Sequence, residues 1–149
     1  MATIRLPQDF RDFLRLLDAH EVKYLLVGGY AVGYHGYPRA TTDLDIWVSR
    51  TEENALKLVA VLGEFGFNDA ASAALAFTQE EQVVRMGVPP LRIEIITSAS
   101  GVDFDACYAQ RIEGDLDGVR ANILSLPDLI KNKKAAGRLK DLADLEELP

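Results

Sequence analysis

Residues 27–48 read VGGYAVGYHGYPRATTDLDIWV, an apolar strand end and a glycine pair followed by two aspartates that alternate with Leu44 and Ile46. Side chains along a strand have a period of two, so Asp43 and Asp45 fall on one face while Leu44, Ile46 and Val48 enter the core. Two carboxylates on one sheet face repel each other, and a divalent cation between them relieves the repulsion. Hard oxygen ligands of this kind suit Mg²⁺ or Mn²⁺ rather than zinc. Taken alone, an Asp-x-Asp strand reads more readily as a solvated edge whose outward residues are acidic. The neighbouring glycines weigh towards the metal site: a strand ending in Gly28 and Gly29 lets backbone amides approach a ligand that a Cβ would fend off, and a helix after it presents its positive end to an anion, with a plain tight turn as the alternative reading of the pair. Phosphate is the expected guest. The segment does not match GxGxxG, because Tyr30 stands at the second glycine position, and no GK[ST] follows, so dinucleotide and Walker-type sites are disfavoured.

Outward from this segment, the pattern predicts a small α/β (α+β) domain. After Pro7, the residues Phe10, Phe13, Leu14 and Leu17 lie at helical spacing, and KYLLV (23–27) is a short strand leading into the glycine turn. YAVGYH is compatible with a short helix. Thr51 and an acidic first turn open a further helix, for which Leu56, Val59, Ala60 and Leu62 are the expected inward residues. Residues 69–81 support no assignment. QVVRMG and LRIEIIT form an expected hairpin around Val88, Pro89 and Pro90, with Leu91, Ile93 and Ile95 on one face and Arg92 and Glu94 on the other. VDFDACYAQ reads as a short helix, RIEGDLDGVRANIL as a second hairpin turning at Gly114–Gly118, and the tail from Leu126 to Leu148 as two helices broken at Gly137.

The 149 residues suit one domain, with a core over about 22–97 and a helical tail over about 126–148. Hydrophobic residues make up 48% and charged residues 26%, which disfavours disorder and fibrous repeats. A net charge of −7 is unfavourable for non-specific nucleic-acid binding, though it leaves room for a local basic patch. The single cysteine, Cys107, has no partner for an internal disulfide or a CxxC zinc site, so a reducing, cytoplasmic setting is expected. No segment approaches the roughly 18 apolar residues of a membrane span, and the first ten residues lack a signal-peptide core.

A third carboxylate, Glu94, lies in the apolar strand RIEI, where burial demands a partner or a cation. With its strand next to that of Asp43 and Asp45, three carboxylates would converge on a site able to hold two cations about 3.5–4 Å apart, as in-line phosphoryl displacement requires. Between Lys131 and Lys140 stand five basic residues and no acidic one. On one helix, Lys131, Lys134 and Arg138 would share a face, either an ordinary solvated surface or a phosphate-facing one to which Lys140 also contributes. Asp141 is then an expected partner of Arg138. Arg39 and Thr42 flank the acidic strand and are candidate nucleotide contacts, with idle loop positions as the alternative. His35 is open to a structural role or to orienting the aspartates. Tyr30, Tyr34 and Tyr37 recur at helical spacing and suit packing better than base stacking, and Trp47 suits either a cleft wall or a base platform.

VGGYAVGYHG, then PRATTDLDIWV, then the carboxylate of RIEI together resemble the nucleotidyltransferase superfamily named for DNA polymerase β. The tail LPDLIKNKKAAGRLKDLADLEEL is similar to the small bacterial group that includes the AbiEii-type nucleotidyltransferases of abortive-infection and toxin-antitoxin systems. The resemblance covers residues 22–48, 91–97 and 123–148. It implies a nucleotidyltransferase fold, a small mixed sheet flanked by helices, and transfer of a nucleoside monophosphate from a nucleoside triphosphate to a hydroxyl of RNA or protein. It also implies a cognate toxin or antitoxin partner. By the same resemblance Gly28 and Gly29 would hold the triphosphate, Asp43 and Asp45 the metals, and Glu94 would be third ligand and candidate base. Glutamate at position 94 departs from the commoner aspartate. A metal-dependent nuclease is disfavoured because Ile95 and Ile96, not an acidic-x-Lys pair, follow Glu94. A non-catalytic nucleotide- or partner-binding module remains the other reading.

Overall fold

The computed structural model describes residues 4–36, 41–67, 69–88 and 91–149. Among these residues six strands form one mixed sheet in the order β3-β4-β2-β1-β6-β5. They are β1 (Tyr24–Val27), β2 (Asp43–Val48), β3 (Val83–Val88), β4 (Leu91–Ile96), β5 (Ile112–Leu116) and β6 (Val119–Ile123). Six α-helices accompany them among the described residues: α1 (Gln8–Ala19), α2 (Gly28–Tyr34), α3 (Glu52–Phe65), α4 (Phe104–Ala109), α5 (Leu126–Ala136) and α6 (Leu139–Glu147). The fold class is therefore the one expected, a small mixed sheet flanked by helices with a helical C-terminus. The sheet reaches beyond residues 22–97, because β6 lies parallel to β1 with Leu26 opposite Ile123 and carries β5 on its far side. Among the described residues no helix is long and apolar enough to cross a membrane.

Local patterns account for most elements. Phe10, Phe13, Leu14 and Leu17 are all buried on α1, which packs against α3 and β6. All four residues of β1 are buried, as are Leu44, Ile46 and Val48 of β2. Thr51 caps α3 by accepting the Asn54 backbone N–H at 3.2 Å, and Gly66 closes it at φ 103°. The inward face of α3 differs from the expected one: Leu56 is 69% exposed, whereas Ala55, Leu58, Val61 and Leu62 are buried. Buried Asn54 sets this phase. Its side chain accepts from the Lys23 backbone N–H and donates to the Lys23 and Ser49 carbonyls, tying the helix start to the flanks of β1 and β2.

Residues 70–73 and 76–78 form short 3-10 turns that bury Ala70, Ala73 and Phe77. The second hairpin turns more tightly than expected, through Asp117 and Gly118 alone, both at positive φ. Asp117 accepts from the Leu6 backbone N–H and from Arg11, which fastens the turn to the approach of α1.

Candidate active site

Strand register assembles the acidic face. β2 runs parallel to β4 with Asp43 opposite Arg92 and Asp45 opposite Glu94. On the far side of β4, antiparallel β3 places Arg85 opposite Glu94, and β1 places Val27 opposite Asp45. A single row across four strands thus reads Arg85, Glu94, Asp45, Val27, with the glycine pair one residue beyond its end. A cavity of about 570 Å³ opens over this row, lined by Gly28, Gly29, Asp43, Asp45, Arg85, Arg92 and Glu94 from the sheet side and by Lys133, Arg138 and Lys140 from α5 and α6.

The glycines are demanded by packing. Gly28 has φ +69°, and a Cβ there would collide with the Asp45 carboxylate; at Gly29 it would lie 2.6 Å from Thr41 Oγ1. The space that a side chain would fill is used to bring the end of β1 against the acidic strand.

The charges on the sheet are unevenly balanced. Arg92 Nη2 donates to Asp43 Oδ2 at 3.2 Å and lies 3.3 Å from Glu94 Oε1, while Arg85 Nε donates to Glu94 Oε1 at 3.1 Å. The hydrogen bond to Asp43 raises the pKa of Arg92 further. Asp45 forms no hydrogen bond or ion pair with the described residues. Its pKa is pushed up to about 7, first by burial and then by the neighbouring charges of Glu94 and Asp43, against the opposing pull of Lys140 and Lys133. Among the described residues no three acidic, imidazole or thiol groups are placed to share one ion, and Arg92 is paired with both Asp43 and Glu94. The convergence of three carboxylates is thus realised in register and not in contact.

The basic wall differs in detail from the expected helix face. Gly137, at φ 63°, ends α5, so Arg138 begins a new helix and does not continue the row of Lys131 and Lys134. Both of those lysines are exposed, and Lys134 is not among the residues lining the cavity. The lysine that faces inward is Lys133, only 4% exposed, whose Nζ lies 3.1 Å from both Asp141 Oδ1 and Asp144 Oδ2. Arg138 pairs with Asp141 as expected, Nε to Oδ2 at 2.7 Å, and the same carboxylate oxygen accepts from the Arg138 backbone N–H at 3.2 Å at the start of α6. Burial alone would raise the Asp141 pKa, but hydrogen bonds from Arg138 and Lys133 outweigh it and hold the carboxyl below its ordinary value.

The remaining candidates fall as follows. Thr42 is exposed and reaches Asp43 Oδ1 at 3.4 Å, and it does not line the cavity. Arg39 and Tyr37 lie outside the described residues. The His35 ring is bound to the Leu124 carbonyl through Nε2 at 2.7 Å, a structural tie. Tyr30 packs edge-on against Phe10, and Tyr34 against His35. Trp47 is 2% exposed, packs edge-on against Phe104 at 5.2 Å, and walls a second cavity that shares Ser98 and Ala99 with the first.

Two residues escaped the sequence reading. Arg85 carries no local signal, since only pairing across two strands brings it to Glu94. Lys133 has a weak one: it follows Leu129 by four residues on the buried side of α5, and Asp141 and Asp144 recur at helical spacing to meet it.

No family model matches the chain, and no curated protein does. A solved structure is similar to it, the crystal structure of "a putative nucleotidyltransferase" from Thermotoga maritima, at 16% sequence identity and a TM-score of 0.60 over 92% of this chain and 88% of that one. At that identity the likeness speaks to architecture alone: the chain has a nucleotidyltransferase-like fold.

Proposed function

We propose that the protein is a divalent-cation-dependent nucleotidyltransferase. It moves a nucleoside monophosphate from a nucleoside triphosphate onto an acceptor hydroxyl and releases pyrophosphate. The observation that carries this reading is the placement of Asp43, Asp45 and Glu94 by strand register in one cavity with Gly28, Gly29, Arg138 and Lys140. The donor set suits Mg²⁺ or Mn²⁺: the ligands are hard oxygens, and the half-buried Asp45 carboxyl has its pKa raised by desolvation and by the like charges of Glu94 and Asp43. Asp43, Asp45 and Glu94 would hold the cation, which supplies charge neutralisation at the transferring phosphoryl group.

The chain's own residues supply binding and orientation. Arg138 and Lys140 project from α6 into the cavity and draw the polyphosphate towards the glycine turn. Lys133, fixed by Asp141 and Asp144, holds a positive charge in the cavity wall without competing for the phosphates by motion of its own. Glu94 is the candidate base for the incoming hydroxyl, and positioning with charge neutralisation carries the catalysis. We assign the acceptor to RNA (tRNA-like) or protein, and the setting to a cytoplasmic toxin-antitoxin or phage-defence pair with a cognate partner, on the similarity of the tail to the AbiEii-type group.

Each labelled nucleoside triphosphate, incubated with Mg²⁺ and a cell extract, should leave label on one acceptor species with the wild-type protein. Asp43→Asn combined with Asp45→Asn should abolish the labelling with the fold retained, and full activity in that variant would sink the proposal. One observation favours the second reading, a non-catalytic nucleotide- or partner-binding module: Arg92 occupies the carboxylates that a metal would need. Binding of ATP or another triphosphate by calorimetry without any label transfer would support it.

A further inference from the structure

We propose that Arg92 exchanges partners, bridging Asp43 and Glu94 in the metal-free protein and moving to the phosphates of the nucleotide when a divalent cation takes its place. The inference rests on the transferase reading for the identity of the two ligands, and on geometry for the exchange. Arg92 Nη2 lies 3.2 Å from Asp43 Oδ2 and 3.3 Å from Glu94 Oε1. These are carboxylate oxygens from both strands of the acidic row, which a cation shared by that row would need. A guanidinium and a divalent cation cannot hold them together, since like charges a few ångströms apart repel.

The seat is also imperfect for arginine. Its Nε is buried and has no hydrogen-bond partner among the described residues, and a buried donor without a partner is costly. A tetrahedral anion offers several acceptor oxygens to the same planar fork, which commonly binds phosphate through two parallel bonds. Arg92 already lines the cavity into which Arg138 and Lys140 project, so the exchange requires side-chain rotation and no movement of β4. Arg85 does not make the same exchange, because among the described residues it pairs with Glu94 alone and its side chain is 57% exposed. In the metal-free state Arg92 is thus a placeholder that limits repulsion between Asp43 and Glu94. In the loaded state it is a phosphate ligand whose arrival depends on metal binding.

The test compares Arg92→Gln with Arg85→Gln, each of which removes one positive charge beside Glu94. Calorimetry with Mn²⁺ alone should show Arg92→Gln binding roughly three- to ten-fold more tightly than wild type, the span expected for freeing two partly exposed ion pairs. Arg85→Gln should change less. Inorganic triphosphate with Mg²⁺, a probe independent of the base, should then bind several-fold more weakly to Arg92→Gln than to wild type. Thermal melting checks the fold, and Arg92→Lys, which keeps the charge but has no fork to span both carboxylates, replaces the glutamine variant if that variant does not fold. Equal effects of the two glutamine variants on Mn²⁺ would overturn the placeholder role, and undiminished triphosphate binding would overturn the exchange. If neither wild type nor variant binds Mn²⁺, the exchange is refuted together with the transferase reading. If both binding effects appear but no labelled acceptor forms, Arg92 keeps its role and only the transferase reading fails.

Discussion

Replacing Asp45 with asparagine should stabilise the metal-free protein, and the gain should depend on pH. The Asp45 carboxyl is pushed from its ordinary 3.8 to about 7 by burial and by Glu94 and Asp43. The folded state therefore holds this proton more tightly than the unfolded chain does. The sign follows from that: protonated Asp45 costs nothing extra below about pH 4, stability falls as pH rises from about 4 to about 7, and the loss is complete above pH 7. A shift of roughly three units at about 1.4 kcal/mol each is about 4 kcal/mol, and solvent reaching the carboxylate lowers this to about 2–4 kcal/mol. For a chain of this length that corresponds to a rise in Tm of about 5–10 °C at pH 8. The assay is thermal melting of wild type and Asp45→Asn in chelator at pH 4 and at pH 8. The variant should gain at pH 8 and little at pH 4, and Mg²⁺ should raise the wild-type Tm at pH 8 while leaving the variant nearly unmoved. An Asp45→Asn protein that melts at or below the wild type at pH 8 would refute the reasoning.

Three further substitutions probe the scaffold. Gly28→Ala puts a Cβ against the Asp45 carboxylate at a positive φ, and should cost about 1–3 kcal/mol in denaturant unfolding with a loss of Mn²⁺ affinity. Lys133→Met removes the cation shared by Asp141 and Asp144, and should cost about 3 kcal/mol by the same measurement. Asn54→Ala removes three hydrogen bonds that fix the start of α3 to β1 and β2, and should lower stability by about 2–4 kcal/mol on urea titration without changing metal affinity.

What could be read from the chain and what could not divide along the range of the interactions. α1, β1 and the alternation of β2 follow from contacts within a few residues, so Phe10, Phe13, Leu14 and Leu17 announce their own burial, and Asp43 and Asp45 announce their shared face. Glu94 was readable because an acidic residue inside RIEI has to be compensated. Arg85 was not, because its partner is fixed by the register of β3 on β4, a property of two strands. The choice between Lys133 and Lys134 turns on one residue of helix phase, and that phase is set by Leu129 below and by Asp141 and Asp144 on another helix. The inward face of α3 was misjudged for a related reason: a polar residue, Asn54, holds an inward position through backbone bonds that hydrophobic spacing does not register. Residues 69–81 gave no pattern because 3-10 turns of small alanines have neither period.

The same distinction bears on how the site is held together. The acidic row lies at the middle of the sheet, where β2 pairs with β1 on one side and β4 on the other, so its carboxylates cannot relax by displacement of an edge strand. Their mutual repulsion has to be met locally. Asp43 and Glu94 are met by Arg92 and Arg85, residues of the strands that carry or adjoin the row. Asp45, pressed against Gly28, is left to raise its proton affinity instead. A fold that keeps one carboxylate in this condition sacrifices stability at neutral pH that an asparagine would return, and in the transferase reading a bound cation offsets that cost in the working state. The stability gain of Asp45→Asn and the metal dependence of the wild-type Tm therefore test one quantity from two directions: if the substitution stabilises the chain but Mg²⁺ leaves the wild-type Tm unchanged, the strain at Asp45 is real and its purpose is not a metal site.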